Sequence, residues 1–109
     1  MASSKSPANE LTAQIINFLF KEGCYAWRAQ SSGLFDPSKG SFRTAPKRGV
    51  SDILAVKGPN GRLVAIEVKI GVDKLSPEQI GFGKNVEHCG GLWYVAKDFK
   101  EFKDWWHSI

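Results

Sequence analysis

Arg48-Gly49-Val50-Ser51-Asp52-Ile53-Leu54-Ala55-Val56-Lys57-Gly58-Pro59-Asn60-Gly61-Arg62-Leu63-Val64-Ala65-Ile66-Glu67-Val68-Lys69 reads as two strands joined by a tight turn. Ser51 to Val56 and Leu63 to Ile70 are short, apolar, β-rich runs. Gly58-Pro59-Asn60-Gly61 between them is turn chemistry, since proline presets φ and glycine tolerates positive φ. Three charged groups interrupt this apolar pattern: Asp52, Glu67 and Lys69. Burying a charge is costly unless it is paired or bound to a metal, so core packing alone does not ask for them.

Strand alternation puts Glu67 and Lys69 on one face, roughly 7 Å apart. If the loop is only Pro59-Asn60, Gly58 pairs with Gly61 and Asp52 falls opposite Glu67. Two carboxylates facing each other across a ladder repel, and a divalent cation between them turns that liability into a site. Pro-Asn-Gly also suits a type I turn with Gly61 in a bulge. That geometry shifts the register by one and turns Asp52 to the other face, unless a second irregularity near Gly49 brings it back.

The 109 residues predict one folded domain over 6–109, behind a loose tail at 1–5. Seven Phe and four Trp are ample for a core. No apolar run approaches the ~20 residues of a membrane span, and the stretch Met1 to Pro7 lacks the apolar core of a secretory signal. Cys24 and Cys89 have neither metal-ligand nor redox spacing, which points to free thiols in a reducing, cytoplasmic setting. A net charge of +4 is mild, but its distribution is uneven. Pro37 to Ser51 contains no acidic residue and carries Lys39, Arg43, Lys47 and Arg48. A solvated loop accounts for any one of these; as a cluster beside a carboxylate site they suit phosphate contacts.

The remaining elements follow from caps and periodicity. Ser6-Pro7 starts a helix whose Leu11, Ile15, Phe18 and Leu19 recur at helical spacing, and Gly23 stops it. Glu10 in its first turns is explained by the helix dipole alone. Cys24 to Gln30 is a strand, and Ser31 to Arg48 a long connection of the length that often carries function. Ser76-Pro77-Glu78-Gln79 is a capping box that by itself accounts for Gln79. Its helix ends at Gly90-Gly91, Leu92 to Ala96 is a fourth strand, and Asp98 with Glu101 opens a last helix. Phe99, Phe102, Trp105 and Trp106 form the apolar stripe of that helix, reading as core or a subunit contact rather than a base-stacking platform. The order α-β-β-β-α-β-α predicts an α/β fold. Its mixed four-stranded sheet, flanked by helices, comprises an antiparallel meander and a fourth strand parallel to the third through a helical crossover.

Asp…Glu-x-Lys is what metal-assisted phosphodiester hydrolysis requires. Two carboxylates, Asp52 and Glu67, can hold Mg²⁺ or Mn²⁺, with the Val68 carbonyl between Glu67 and Lys69 as a further oxygen donor. Lys69 can orient the attacking water or neutralise charge developing on phosphorus. A bare Glu-x-Lys is more often a surface salt bridge; Asp52 behind a glycine, the apolar strands and the basic flank shift the reading toward a site.

With Glu10, Trp27-Arg28, Gly49-Val50-Ser51-Asp52, Ile66-Glu67-Val68-Lys69, Leu75-Ser76-Pro77-Glu78-Gln79 and Gly90-Gly91 in order, the chain resembles the PD-(D/E)xK nuclease superfamily. More narrowly, it resembles the virus-type replication-repair nuclease (VRR-NUC) domain. The resemblance implies a restriction-endonuclease-like core and a metal-dependent endodeoxyribonuclease. It implies metal ligation by Asp52 and Glu67, a catalytic Lys69, Glu10 as an additional metal-site carboxylate, and an active-site Gln79 that holds Lys69 or the phosphate. Arg28, Lys47 and Arg48 are candidate phosphate contacts that no motif fixes. Stand-alone members resemble Holliday-junction resolvases, which implies a homodimer placing two nicks on a four-way DNA junction and a bacterial or phage setting. Three alternatives remain at this point: a nuclease for flap, nicked or plain duplex DNA, a non-catalytic branch-binding module, and a structural protein with incidental carboxylates.

Overall fold

The computed structural model describes residues 6–29, 34–36, 41–43 and 49–109. The expected tail at 1–5 lies outside them. Helix α1 (Pro7–Lys21) is capped by Ser6, whose Oγ accepts from the Asn9 amide at 3.1 Å, and Gly23 leaves it at φ +83°. Strand β1 (Cys24–Arg28) follows. The long connection holds a short hairpin that the sequence pattern did not reveal, β2 (Leu34–Asp36) and β3 (Ser41–Arg43), paired with each other in a separate two-stranded sheet. Strands β4 (Ile53–Lys57) and β5 (Arg62–Val68), helix α2 (Pro77–His88), strand β6 (Leu92–Ala96) and helix α3 (Phe99–Ser108) complete the chain.

The main sheet has the order β1-β4-β5-β6. β1, β4 and β5 form the expected antiparallel meander, and β6 returns parallel to β5 after α2. The result is an α/β fold with a mixed four-stranded sheet. The β4–β5 turn spans all four residues from Gly58 to Gly61, with Lys57 opposite Arg62 and Ile53 opposite Ile66. This is the unshifted register. Gly61 takes φ +73° and its amide donates to the Lys57 carbonyl at 3.0 Å, without displacing the ladder.

Both faces of β5 are covered, which is why Val64 to Val68 is buried without alternation. On one face α1 and α3 pack over Cys24, Ala26, Ile53, Ala55, Val64 and Ile66. The aromatic stripe of α3 belongs to this core. Phe102 has no solvent exposure and Trp106 only 6%, and Phe18 meets Phe99, Phe102 and Trp106 edge-on at 5.7–6.4 Å. Phe102 and Trp106 of the stripe are thus core residues, while Phe99 and Trp105 are partly buried beside them. Trp106 Nε1 donates to Glu22 Oε1 at 3.1 Å, tying α3 to the end of α1. No described helix is long and apolar enough to cross a membrane. Cys24 and Cys89 are both free.

On the other face α2 packs over β5 and β6 only. It approaches closely because position 83 is glycine: a Cβ there would stand 2.1 Å from the Trp93 indole. Gly83→Ala is expected to destabilise the fold by about 1–3 kcal/mol through overpacking. A lowered urea midpoint would show it, and Gly83→Ala combined with Trp93→Leu should recover part of the loss.

Candidate functional site

The site forms where β4 begins and β5 ends. Asp52 immediately precedes β4, and the Ala29 amide donates to its carbonyl at 2.8 Å, extending the β1–β4 ladder by one step. The register carries Asp52 to the position opposite Glu67, as counted from the Gly58–Gly61 pairing. Asp52 Oδ2 accepts from the Val68 amide at 2.7 Å. The aspartate thus replaces a missing ladder partner, and one of its oxygens is fixed. An extended residue directs its N–H and C=O toward the same neighbouring strand, so the Val68 carbonyl also faces the Asp52 side.

Glu67 is fully buried, and its partners explain how. Gln79 Nε2 donates to Glu67 Oε1 at 3.2 Å, while Gln79 Oε1 accepts from the Ser76 amide at 2.8 Å and the Gln79 amide donates to Ser76 Oγ at 3.1 Å. The capping box and the site therefore share one side chain. Gln79 reaches Glu67, in place of the expected Lys69. Gly49 makes the approach of α2 feasible. At φ +78° it lies so close to the first turn of α2 that a Cβ would stand 2.2 Å from the Glu78 carbonyl oxygen.

The electrostatics single out Glu67. Burial first, and the Asp52 charge second, push the Glu67 carboxyl up from its ordinary value to about 7. The nearness of the Asp52 carboxylate oxygens raises it further, while the Ser51 hydroxyl and the Lys69 charge oppose the rise. Glu67 Oε2 and the hydroxyl of the fully buried Ser51 have no hydrogen-bond partner of good geometry. Buried unpartnered oxygens are costly, and here they flank a pair of carboxylates. A hard divalent cation with its waters fits this donor set: Asp52, Glu67 Oε2 and the Val68 carbonyl. Glu67 and Lys69 do not form the surface salt bridge that Glu-x-Lys usually signals. The ion pair seen among the described residues is Lys100–Asp104, at 2.9 Å on α3.

Other expected residues stand apart. Glu10 is exposed on α1, and among the described residues no group of three or more His, Cys, Asp or Glu side chains is placed to hold a metal. In this structure Glu10, in the first turn of α1, is not grouped with Asp52 and Glu67. Arg28 pairs with Ile53 in the ladder, one position out of phase with Asp52, and its Nη1 donates to Asn9 Oδ1 at 3.3 Å. Lys39, Lys47 and Arg48 lie outside the described residues, and Arg43 is described only as part of the β3 backbone. Ser51 was not singled out from the sequence on its own account. The available signal was a polar residue at the apolar entry to β4, directly before the aspartate.

Scans against protein-family models, curated proteins and solved structures find no match to the chain.

The raised Glu67 carboxyl has a stability consequence with a definite sign. Below the ordinary glutamate range the group is protonated both folded and unfolded. As pH rises toward 7 the unfolded chain releases its proton first, so folded stability is lost across that window and the loss is constant above it. In chelator, Glu67→Gln is expected to be more stable than the parent at pH 8, by on the order of 2–3 kcal/mol, with the difference vanishing near pH 4. Thermal unfolding across pH measures it.

Proposed function

We propose that the chain is a metal-dependent, structure-selective DNA endonuclease of the PD-(D/E)xK type, akin to stand-alone VRR-NUC domains. In this reading the α/β sheet is a restriction-endonuclease-like core, and a homodimer nicks branched DNA such as a four-way junction in a cytoplasmic setting. The observation that carries the reading is the buried Glu67, opposite Asp52, with one carboxylate oxygen unpartnered. A buried carboxylate opposite a half-buried one, with a lysine two residues on, has no structural purpose that an apolar pair would not serve better.

Bound Mg²⁺ or Mn²⁺ would supply Lewis acidity and a water of lowered pKa. The chain supplies the rest. Asp52 and Glu67 would hold the cation, and the Val68 amide and Gln79 keep those carboxylates in place. Lys69, anchored where its amide donates to the Ala96 carbonyl at 3.0 Å, offers a cation to the water or to the phosphoryl oxygens. Water adds to phosphorus and one P–O ester bond breaks, leaving a phosphate monoester and a hydroxyl. The outer surface of α1, where Phe20 is 53% exposed, and the partly buried Phe99 and Trp105 of α3 are the candidate dimer contacts.

Lack of a third acidic ligand among the described residues favours one competing reading, a module that binds DNA branches without cutting. One assay separates the two: cleavage of end-labelled four-way junction, flap and plain duplex DNA in Mg²⁺, Mn²⁺ or chelator. The parent should cut branched DNA only with metal. Asp52→Ala, Glu67→Ala and Lys69→Ala should each lose on the order of a hundredfold or more in rate while retaining fold and binding. Glu10→Ala should cut like the parent. Binding without any metal-dependent product would establish the module instead.

A further inference from the structure

Among the described elements, half of the sheet face that carries the carboxylates has no helix over it. α2 covers β5 and β6 and does not reach β4 or β1. By strand alternation Tyr25 and Trp27 share this face with Asp52 and Glu67, because Trp27 pairs with Leu54, and Leu54 with Ala65. The Ala29–Asp52 bond continues the same ladder, so Trp27 lies one row below the carboxylates, roughly 7 Å along the strand. Tyr25 is 68% exposed and Trp27 39%, with ring centroids 5.5 Å apart and planes tilted by 45°. The core-facing side treats its aromatics differently, packing them ring against ring. Between Trp27 and the strands that α2 covers lies Leu54 of β4, which is half-buried. The face is thus a trough one strand wide, with α2 and its Gln79 on one side, two exposed aromatic rings on the other, and the half-buried Asp52 at one end.

We propose that Trp27, supported by Tyr25, is a stacking surface for one nucleobase of the strand whose phosphate lies at Asp52 and Glu67. The inference rests on the nuclease reading for the position of that phosphate. It adds a substrate class: a strand with an unpaired or unstacked nucleotide beside the cleaved bond. A base inside a duplex is covered on both sides and has no ring face to offer. A base at a branch point or in a single strand does, and aromatic stacking accepts any base. The one-row separation is comparable to the reach from a nucleotide's phosphate to its base. Continuity with the carboxylate site selects a nucleic-acid strand as occupant over a second copy of the chain.

The test has a binding arm and a cleavage arm. In chelator, a single-stranded oligothymidylate is titrated into the protein, with tryptophan emission and the anisotropy of a labelled oligonucleotide followed together. The parent should bind with quenching, and Trp27→Phe should bind with the quenching lost. Trp27→Ala should weaken binding roughly tenfold. Tyr25→Ala, whose ring is the more exposed, serves as a second variant with a smaller loss, and circular dichroism checks each fold. On branched DNA the loss in Trp27→Ala should fall in KM rather than kcat, and an abasic nucleotide beside the cut should hurt the parent more than the variant. Unchanged binding and KM in Trp27→Ala would overturn the stacking surface and leave the nuclease intact. Quenching and its loss on substitution, with no cleavage of any substrate, would retire the nuclease and keep the surface. A Trp27→Ala protein that loses DNA only because a dimer falls apart by sedimentation would make the face a copy-to-copy contact and overturn the proposal.

Discussion

Glu67 has no solvent exposure, yet it sits on the central strand of the sheet among residues that are otherwise apolar. That constraint organises its surroundings. A carboxyl group in such a place needs donors, and β4, β5 and α2 each answer to it. Gln79 donates from α2. Asp52, opposite across the ladder, is itself fixed by the Val68 amide. Donors are nonetheless fewer than acceptors, and one Glu67 oxygen is left over. The group responds by holding its proton up to about pH 7. The fold tolerates this cluster at a cost, and under the proposed function the same atoms would serve as ligands of a cation. This is the usual relation between a strained site and the stable scaffold around it.

Topology makes the arrangement economical. The crossover from β5 through α2 to a parallel β6 sets the N-terminus of α2 beside the carboxyl end of β5, where open α/β sheets commonly form clefts. The α2 cap then has two tasks. Its Ser76–Gln79 box satisfies orphan helix amides, and the Gln79 amide group has donors to spare for Glu67. Gly49 is the hinge of this economy. Any side chain there would collide with the Glu78 carbonyl and lift the first turn of α2, and Gln79 with it, away from the sheet.

Much of this was legible in the residues. Ser6-Pro7, Ser76-Pro77 and Asp98 marked the three helix starts because side-chain capping is local chemistry. The parallel return of β6 followed from a helix-length crossover. The Asp52–Glu67 pairing depended on a turn that admits two registers, and short-range rules do not choose between them. The buried runs do: a one-residue slip would have turned Ile53 and Ile66 out of the core. The β2–β3 hairpin escaped notice because Leu34–Asp36 and Ser41–Arg43 are too short to show alternation. Glu10 was placed with the carboxylates by resemblance alone, and no physical argument from its neighbours supported that placement. The exposure of Tyr25 and Trp27 was equally out of reach, since it depends on how far α2 extends across the sheet.

That last point bears on how the two walls of the trough divide their labour. The α2 wall is tied down by backbone capping and by the close fit of Gly83 against Trp93, so it sets the geometry of the carboxylates. The β1 wall belongs to an edge strand whose side chains on this face meet solvent. Its rings can change without disturbing the core, because Cys24 and Ala26, pointing the other way, carry the packing of β1. If the proposed activity holds, chemistry and recognition would fall on opposite sides of this face. The carboxylate side is constrained by burial and is intolerant of change. The β1 side, anchored through the reverse face of its strand, can vary its exposed rings while the carboxylates stay where the register puts them.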